Sequence, residues 1–136
     1  MTYTNTKTVP SIKQAKLPSI VTKALSSYKS WFFVKKNLDK SIKYTLGQKI
    51  DDLYVLVLEK LSEAQYSWKE KKLVPIEIAI IKVETLKFMI FTLYEVKGIN
   101  EDLFVNISNE VDELGKMLYG WKNQVLKYFE ENKKPH

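Results

Sequence analysis

The C-terminal third of the chain carries a stripe of apolar and aromatic residues, Phe104, Ile107, Val111, Leu114, Leu118, Trp121, Val125 and Tyr128, whose spacing alternates between three and four without a miss. An α-helix returns residues spaced in this way to one face, so the segment reads as a long amphipathic helix that needs partners for its apolar side. Asn100, followed by Glu101 and Asp102 where a helix dipole favours negative charge, marks its start. The same rhythm recurs upstream. Val21, Ala24, Leu25, Tyr28, Trp31 and Phe32 follow Pro18, a residue suited to a first helical position. Leu46, Ile50, Leu53, Val57, Leu61, Ala64 and Trp68 follow Thr45, which with Gln48 has the spacing of a capping box. Pro75 and Gly98 bracket one more apolar segment, with Gly98 expected as its left-handed C-cap.

The spacing therefore predicts an all-α chain with helices over about residues 18–38, 45–70, 75–97 and 101–130. Corners this short favour antiparallel neighbours in an up-down-up-down four-helix bundle. At 136 residues the chain is one domain in length, with residues 1–16 expected as a polar, flexible N-terminal arm, 17–131 as the bundle and 132–136 as a polar tail. An apolar fraction of 45% with only 4 Gly and 4 Pro argues against both disorder and a sandwich of many short strands. With no cysteine, disulfides, thiolate nucleophiles and zinc-thiolate sites are excluded. The start of the chain has no apolar run suited to a secretory signal, and the stretch from Ile76 to Val96 is broken by Glu77, Lys82, Glu84, Lys87 and Glu95. A soluble, cytoplasmic protein with no membrane role is expected.

The third helix is apolar on two sides. Ile76, Ala79, Ile80, Val83, Leu86, Ile90 and Tyr94 form one face, and Ile78, Ile81, Thr85, Phe88, Met89, Thr92 and Val96 gather opposite it without a charge among them. A single bundle has use for one such face. The other is expected to join copies of the chain, with Ile78, Ile81, Phe88, Met89 and Val96 as the interface of a homo-oligomer; cover by the N-terminal arm or the first helix is the alternative.

The net charge is +6, every one of the 22 basic residues is a lysine, and residues 1–40 alone carry eight lysines against Asp39. Such asymmetry points to an anionic partner. On the first helix Lys29, Lys36 and Lys40 fall on one side with Phe33 among them, and Lys43 follows in the corner. Lysines beside an aromatic ring can neutralise phosphates while the ring stacks on a base, so Lys29, Phe33, Lys36, Lys40 and Lys43 are the candidate nucleic-acid-binding residues, an ordinary solvated face being the plainer reading. Without arginine forks, contact with the RNA or DNA backbone is expected over base-specific reading of guanine.

No catalytic residues, metal ligands or cofactor are expected. The one histidine is His136, the carboxylate pairs Asp51-Asp52 and Asp112-Glu113 are adjacent and so diverge on a helix, and no glycine-rich loop could cradle phosphate. Gly115 and Gly120 inside the last helix each cost about 1 kcal/mol relative to alanine, which close approach of another backbone would offset, a kink being the alternative.

Three segments then carry a resemblance. Tyr44-Thr45-Leu46-Gly47-Gln48-Lys49-Ile50, Ala64-Gln65-Tyr66 and Glu113-Leu114-Gly115-Lys116-Met117-Leu118-Tyr119-Gly120-Trp121, in this order, are similar to the family of Avd, the accessory variability determinant of diversity-generating retroelements, and to its relatives encoded in ribosomal-RNA intervening sequences. The resemblance spans about Pro18 to Val125. It implies a barrel-shaped homopentamer of four-helix bundles with a basic surface, associated with a reverse transcriptase and its template RNA in mutagenic retrohoming. The chain departs from the family where a proline usually precedes the Tyr-Thr-Leu-Gly segment and where two adjacent glycines usually precede the tryptophan. The resulting expectation is a non-enzymatic accessory protein that binds itself, nucleic acid and a reverse transcriptase; the alternative is a structural or protein-interaction bundle with no nucleic-acid role.

Overall fold

The computed structural model describes residues 17–132. The expected arm over residues 1–16 and the end of the expected tail, with His136, lie outside the described residues. The elements are α1 (Ser19–Lys36), a single-turn α2 (Lys40–Lys43), α3 (Leu46–Gln65), a 3-10 turn (Lys69–Lys71), α4 (Leu73–Glu95) and α5 (Glu101–Asn132). Every regular element among the described residues is helical. α3 packs along α4 and α4 along α5, while α1 lies against both α3 and α5.

Position in this arrangement follows from where each helix is apolar. Ile76, Ala79, Val83, Leu86, Ile90 and Leu93 of α4 are fully buried against Ile50, Val57 and Leu61 of α3 and Ile107, Val111, Leu114 and Leu118 of α5. Burial of each of these Ile, Val and Leu side chains stabilises by about 1.5–3 kcal/mol. The stripe on α5 thus finds its partners as its spacing requires, and Asn100 caps the helix, its Oδ1 accepting from Leu103 N at 2.9 Å.

The seam between α1 and α3 is polar as well as apolar. Asp51, on the expected solvent side of α3, instead turns toward α1, where its Oδ1 accepts from Tyr28 OH at 2.9 Å and Trp31 Nε1 at 3.2 Å. Lys35 Nζ lies 3.7 Å from the other carboxylate oxygen. One turn along, Ser27 Oγ and Tyr54 OH share a buried hydrogen bond of 3.0 Å, and the Trp31 and Tyr54 rings stack. Burial, then the hydrogen bond to Asp51 and its charge, push the Tyr28 phenol up to about 12. Burial also raises the Tyr54 phenol, aided by the negative charge of Glu110 and opposed by the bond to Ser27.

Local signals at helix ends fare less evenly. Thr45 and Gln48 do not form a capping box: Asp39 caps a turn of helix at Lys40–Lys43, which brings Ser41 O and Ile42 O within 2.9 and 3.2 Å of the Thr45 hydroxyl, and Gln48 donates to Asp52 instead. Buried Gly47 seats this corner, since a Cβ there would lie 2.9 Å from Leu38 Cδ1 and 3.3 Å from Ile42 O. α3 ends at Gln65, short of residue 70, and Lys72 Nζ reaches back to Ala64 O at 2.6 Å and Gln65 O at 3.3 Å and so satisfies its last carbonyls. Trp68 consequently leaves the α3 stripe. At the end of α4 the left-handed residue is Lys97, with φ 66°, and not Gly98. The bonds Gly98 N to Leu93 O at 2.8 Å and Lys97 N to Tyr94 O at 2.9 Å complete a Schellman motif one residue earlier than expected.

Lys97→Gly should therefore raise the unfolding free energy by about 1 kcal/mol in denaturant titrations, because glycine relieves the left-handed strain. Gly98→Ala should lower it, since the added methyl would lie 2.5 Å from Cδ1 of fully buried Leu93 and 3.1 Å from Leu93 O. Alkaline unfolding gives a separate check. The unfolded Tyr28 loses its proton near its ordinary value of about 10 and the folded one near 12, so stability should fall with rising pH between these values, less steeply in Tyr28→Phe.

A candidate nucleic-acid interface and an unpartnered helix face

Burial of Ile20, Ala24, Ser27, Trp31 and Val34 fixes the rotation of α1. The opposite side, with Lys29, Phe33 and Lys36, is thereby turned to solvent. Asp39 then nucleates α2, which carries Lys40 and Lys43 onward from the same end of α1. Lys36 Nζ stands 5.4 Å from the Phe33 ring centroid and 5.8 Å from that of Phe32, and Lys43 Nζ stands 5.9 Å from the ring of Tyr44. The structure thus brings Phe33 together with Lys36, as the spacing predicts. It adds Phe32 and the exposed Tyr44, which sequence reasoning did not single out although each adjoins a proposed site residue in the chain.

The ion pairing of α1 separates its lysines into two groups. Lys23 Nζ lies 2.7 Å from Glu113 and Lys35 approaches Asp51, so both are engaged in holding α1 to its neighbours. Lys29, Lys36, Lys40 and Lys43 have no carboxylate within ion-pair distance among the described residues. Their charges are free to meet an outside anion. Phe33 has a second neighbourhood, since with Val34, Leu38, Gly98, Ile99 and Leu103 it borders a mainly apolar groove of about 320 Å³.

On α4 the face away from the core remains open among the described residues, and cover by the N-terminal arm lies outside them. Ile81, Phe88 and Val96 are 60%, 64% and 53% exposed, while Ile78 and Met89 are half-buried and Met89 packs on the edge of the core. Val74, Ile78, Ile81, Thr85, Phe88, Thr92 and Val96 follow one another at steps of three and four, within about 80° of arc. The two threonines do not break the row's apolar character. Thr85 Oγ1 donates to Ile81 O at 3.2 Å and Thr92 Oγ1 to Phe88 O at 2.9 Å, which satisfies both hydroxyl protons within the helix. Of the charged side chains of α4, Lys87 is drawn to Glu84 at 3.6 Å and Asp112 at 3.3 Å and Glu77 to Lys122 at 3.4 Å, while Lys82 and Glu95 flank the row with no ion-pair partner among the described residues. α1, packed on α3 and α5, leaves the row uncovered.

The two helix-interior glycines differ. A Cβ at Gly115 would make ordinary contacts with Val83 and Lys87 of α4 at 3.6 to 3.8 Å, so a close neighbour is present there; a Cβ at Gly120 would meet nothing within 4 Å. Among the described residues no group of three or more His, Cys, Asp or Glu could hold a metal ion, and no helix is long and apolar enough to cross a membrane. No family model, curated protein or solved structure matches this chain.

Proposed function

We propose that this chain is an antiparallel four-helix bundle that assembles with copies of itself through the outer row of α4 and grips nucleic acid through Lys29, Phe33, Lys36, Lys40 and Lys43. In this reading it is a cytoplasmic, non-enzymatic accessory protein similar to Avd, working beside the reverse transcriptase of a diversity-generating retroelement as a barrel of five subunits. The observation that carries the reading is the set of uncommitted lysines at one end of α1, interleaved with aromatic rings, on a helix whose other lysines are paired. Ammonium groups without a partner carboxylate neutralise phosphates at little cost, and the rings beside them offer stacking surfaces. In a closed assembly the patch would repeat around the particle and form a belt of charge.

A second reading is supported by the α4 row itself. An uncharged face of this length would serve a structural or protein-interaction bundle of the intervening-sequence type equally well, with no nucleic-acid role. Electrophoretic mobility shifts with unrelated RNA and DNA at low salt separate the two, since the second reading expects none.

On the first reading, apparent affinity for a polynucleotide should fall steeply with salt, with a log-log slope of roughly −3 if each of the four lysines meets one phosphate. The combined change Lys29→Glu, Lys36→Glu, Lys40→Glu and Lys43→Glu should abolish binding while leaving the helical circular dichroism intact. Binding that ignores both would overturn the proposal. Light scattering at micromolar concentration should find a multiple of the 15.9 kDa subunit, reduced to one subunit by Ile81→Glu with Phe88→Glu; a wild-type monomer would remove the assembly.

A further inference from the structure

Tyr66 and Trp68, at 74% and 78% exposure, are the two most solvent-exposed large hydrophobic side chains of the described residues, and they stand two positions apart. They are displayed by an ordered corner. Ser67 Oγ donates to Glu63 O at 2.6 Å, and Lys71 N donates to Trp68 O at 2.8 Å, so the backbone on both sides of the indole is held. Directly after Trp68 come Lys69, Glu70, Lys71 and Lys72. Lys72 is spent on the carbonyls that end α3, whereas Lys69 and Lys71 have no carboxylate within ion-pair distance among the described residues. Lys69 Nζ instead sits 4.9 Å from the ring of Tyr128, which extends the alternation of ammonium and ring onto α5.

Beside this corner lies a groove of about 510 Å³ between the start of α1 and the second half of α5, bordered by Gln65, Lys72, Gly120, Trp121 and Gln124. Gly120 makes no use of its missing Cβ within the chain, yet it keeps this groove open along the α5 backbone. Two carboxamides and an indole around a space of this size are groups that hydrogen-bond and stack a planar heterocycle.

We infer that the α3–α4 corner is a second nucleic-acid contact, in which Tyr66 and Trp68 stack on bases of a single strand and Lys69 and Lys71 meet its phosphates. The inference rests on the nucleic-acid role proposed above and adds a separate surface to it: the groove borders the first turn of α1, and Lys36 ends that helix about 26 Å away at 1.5 Å per residue. Positive charge around exposed rings selects a polyanion that has free aromatic faces, which a single strand offers and a duplex hides. A protein partner matched to Trp68 alone would leave the two lysines unanswered.

The test is titration of a fluorescently labelled oligo(dT) or oligo(U) at low salt into the full chain and its variants, followed by anisotropy, with tryptophan emission recorded in parallel. Trp31 is fully buried, Trp68 is mostly exposed and half-buried Trp121 borders the groove, so the part of the quenching that disappears in Trp68→Phe reports on the corner. Trp68→Ala should weaken binding about tenfold, and Trp68→Phe, which keeps a ring, should restore most of it. If the four-lysine variant loses binding while Trp68→Ala binds as the wild type does and the wild-type indole stays unquenched, this inference falls and the first patch stands. If Trp68→Ala changes the particle mass but not oligonucleotide affinity, the corner is a protein contact and the inference also falls. Failure of the wild type to bind any oligonucleotide overturns both.

Discussion

The arrangement of this molecule depends on α4, which has more apolar surface than one set of neighbours can cover. Its inner face, from Ile76 to Leu93, draws α3 and α5 to its two sides and forms the densest part of the core. Side chains on the reverse, Ile81 and Phe88 foremost, remain in water. The same helix thus organises the interior and supplies the surface most in need of a partner.

α1 is attached on other terms. Its Ile20, Ala24, Trp31 and Val34 join the common core, but it lies chiefly against α3 and α5, where Asp51 ties Tyr28 and Trp31, Tyr54 meets Ser27, and Glu113 meets Lys23. Apolar packing alone tolerates small rotations of a helix, whereas directed bonds to one carboxylate do not. The orientation of Lys29, Phe33 and Lys36 toward solvent therefore rests on polar groups on the far side of the same helix together with its buried apolar side chains. In this sense the α1–α3 seam is the support of the candidate site, although none of its atoms need touch a ligand.

Much of this was legible in the residue order, and the parts that were not share a physical cause. The α5 stripe and the two faces of α4 could be read because burial follows helical periodicity, and both faces are seen where the spacing puts them, one inside and one outside. The outward position of Lys29, Phe33 and Lys36 was readable for the same reason. Helix ends were harder, since they depend on which groups can reach across a corner. Thr45 has the sequence of a cap, but an unforeseen turn at α2 gave its hydroxyl nearer acceptors. Gly98 looked like the left-handed residue, yet its close approach to Leu93 leaves no room for a Cβ one position after the turn, and Lys97 takes the strained conformation. Trp68 continued the α3 rhythm by one further step, but the helix ends before it, where Lys72 and Ser67 side chains satisfy its last carbonyls. The ring partners Phe32 and Tyr44 depend on where an ammonium group comes to rest, which spacing alone does not encode.

On the proposed reading the two surfaces are coupled through charge. Copies that each carry +6 repel one another, and this repulsion opposes the apolar gain at the α4 row. The row can bring them together because it is itself uncharged, while the lysines of α1, α2 and the α3–α4 corner that have no carboxylate within ion-pair distance among the described residues lie on other elements. A strand that neutralises those groups removes part of the repulsion between subunits, and by linkage an assembled particle must then hold the strand more tightly than its separated subunits do. The polyanion would in this way help to build the surface that binds it, with no change of shape required within a subunit.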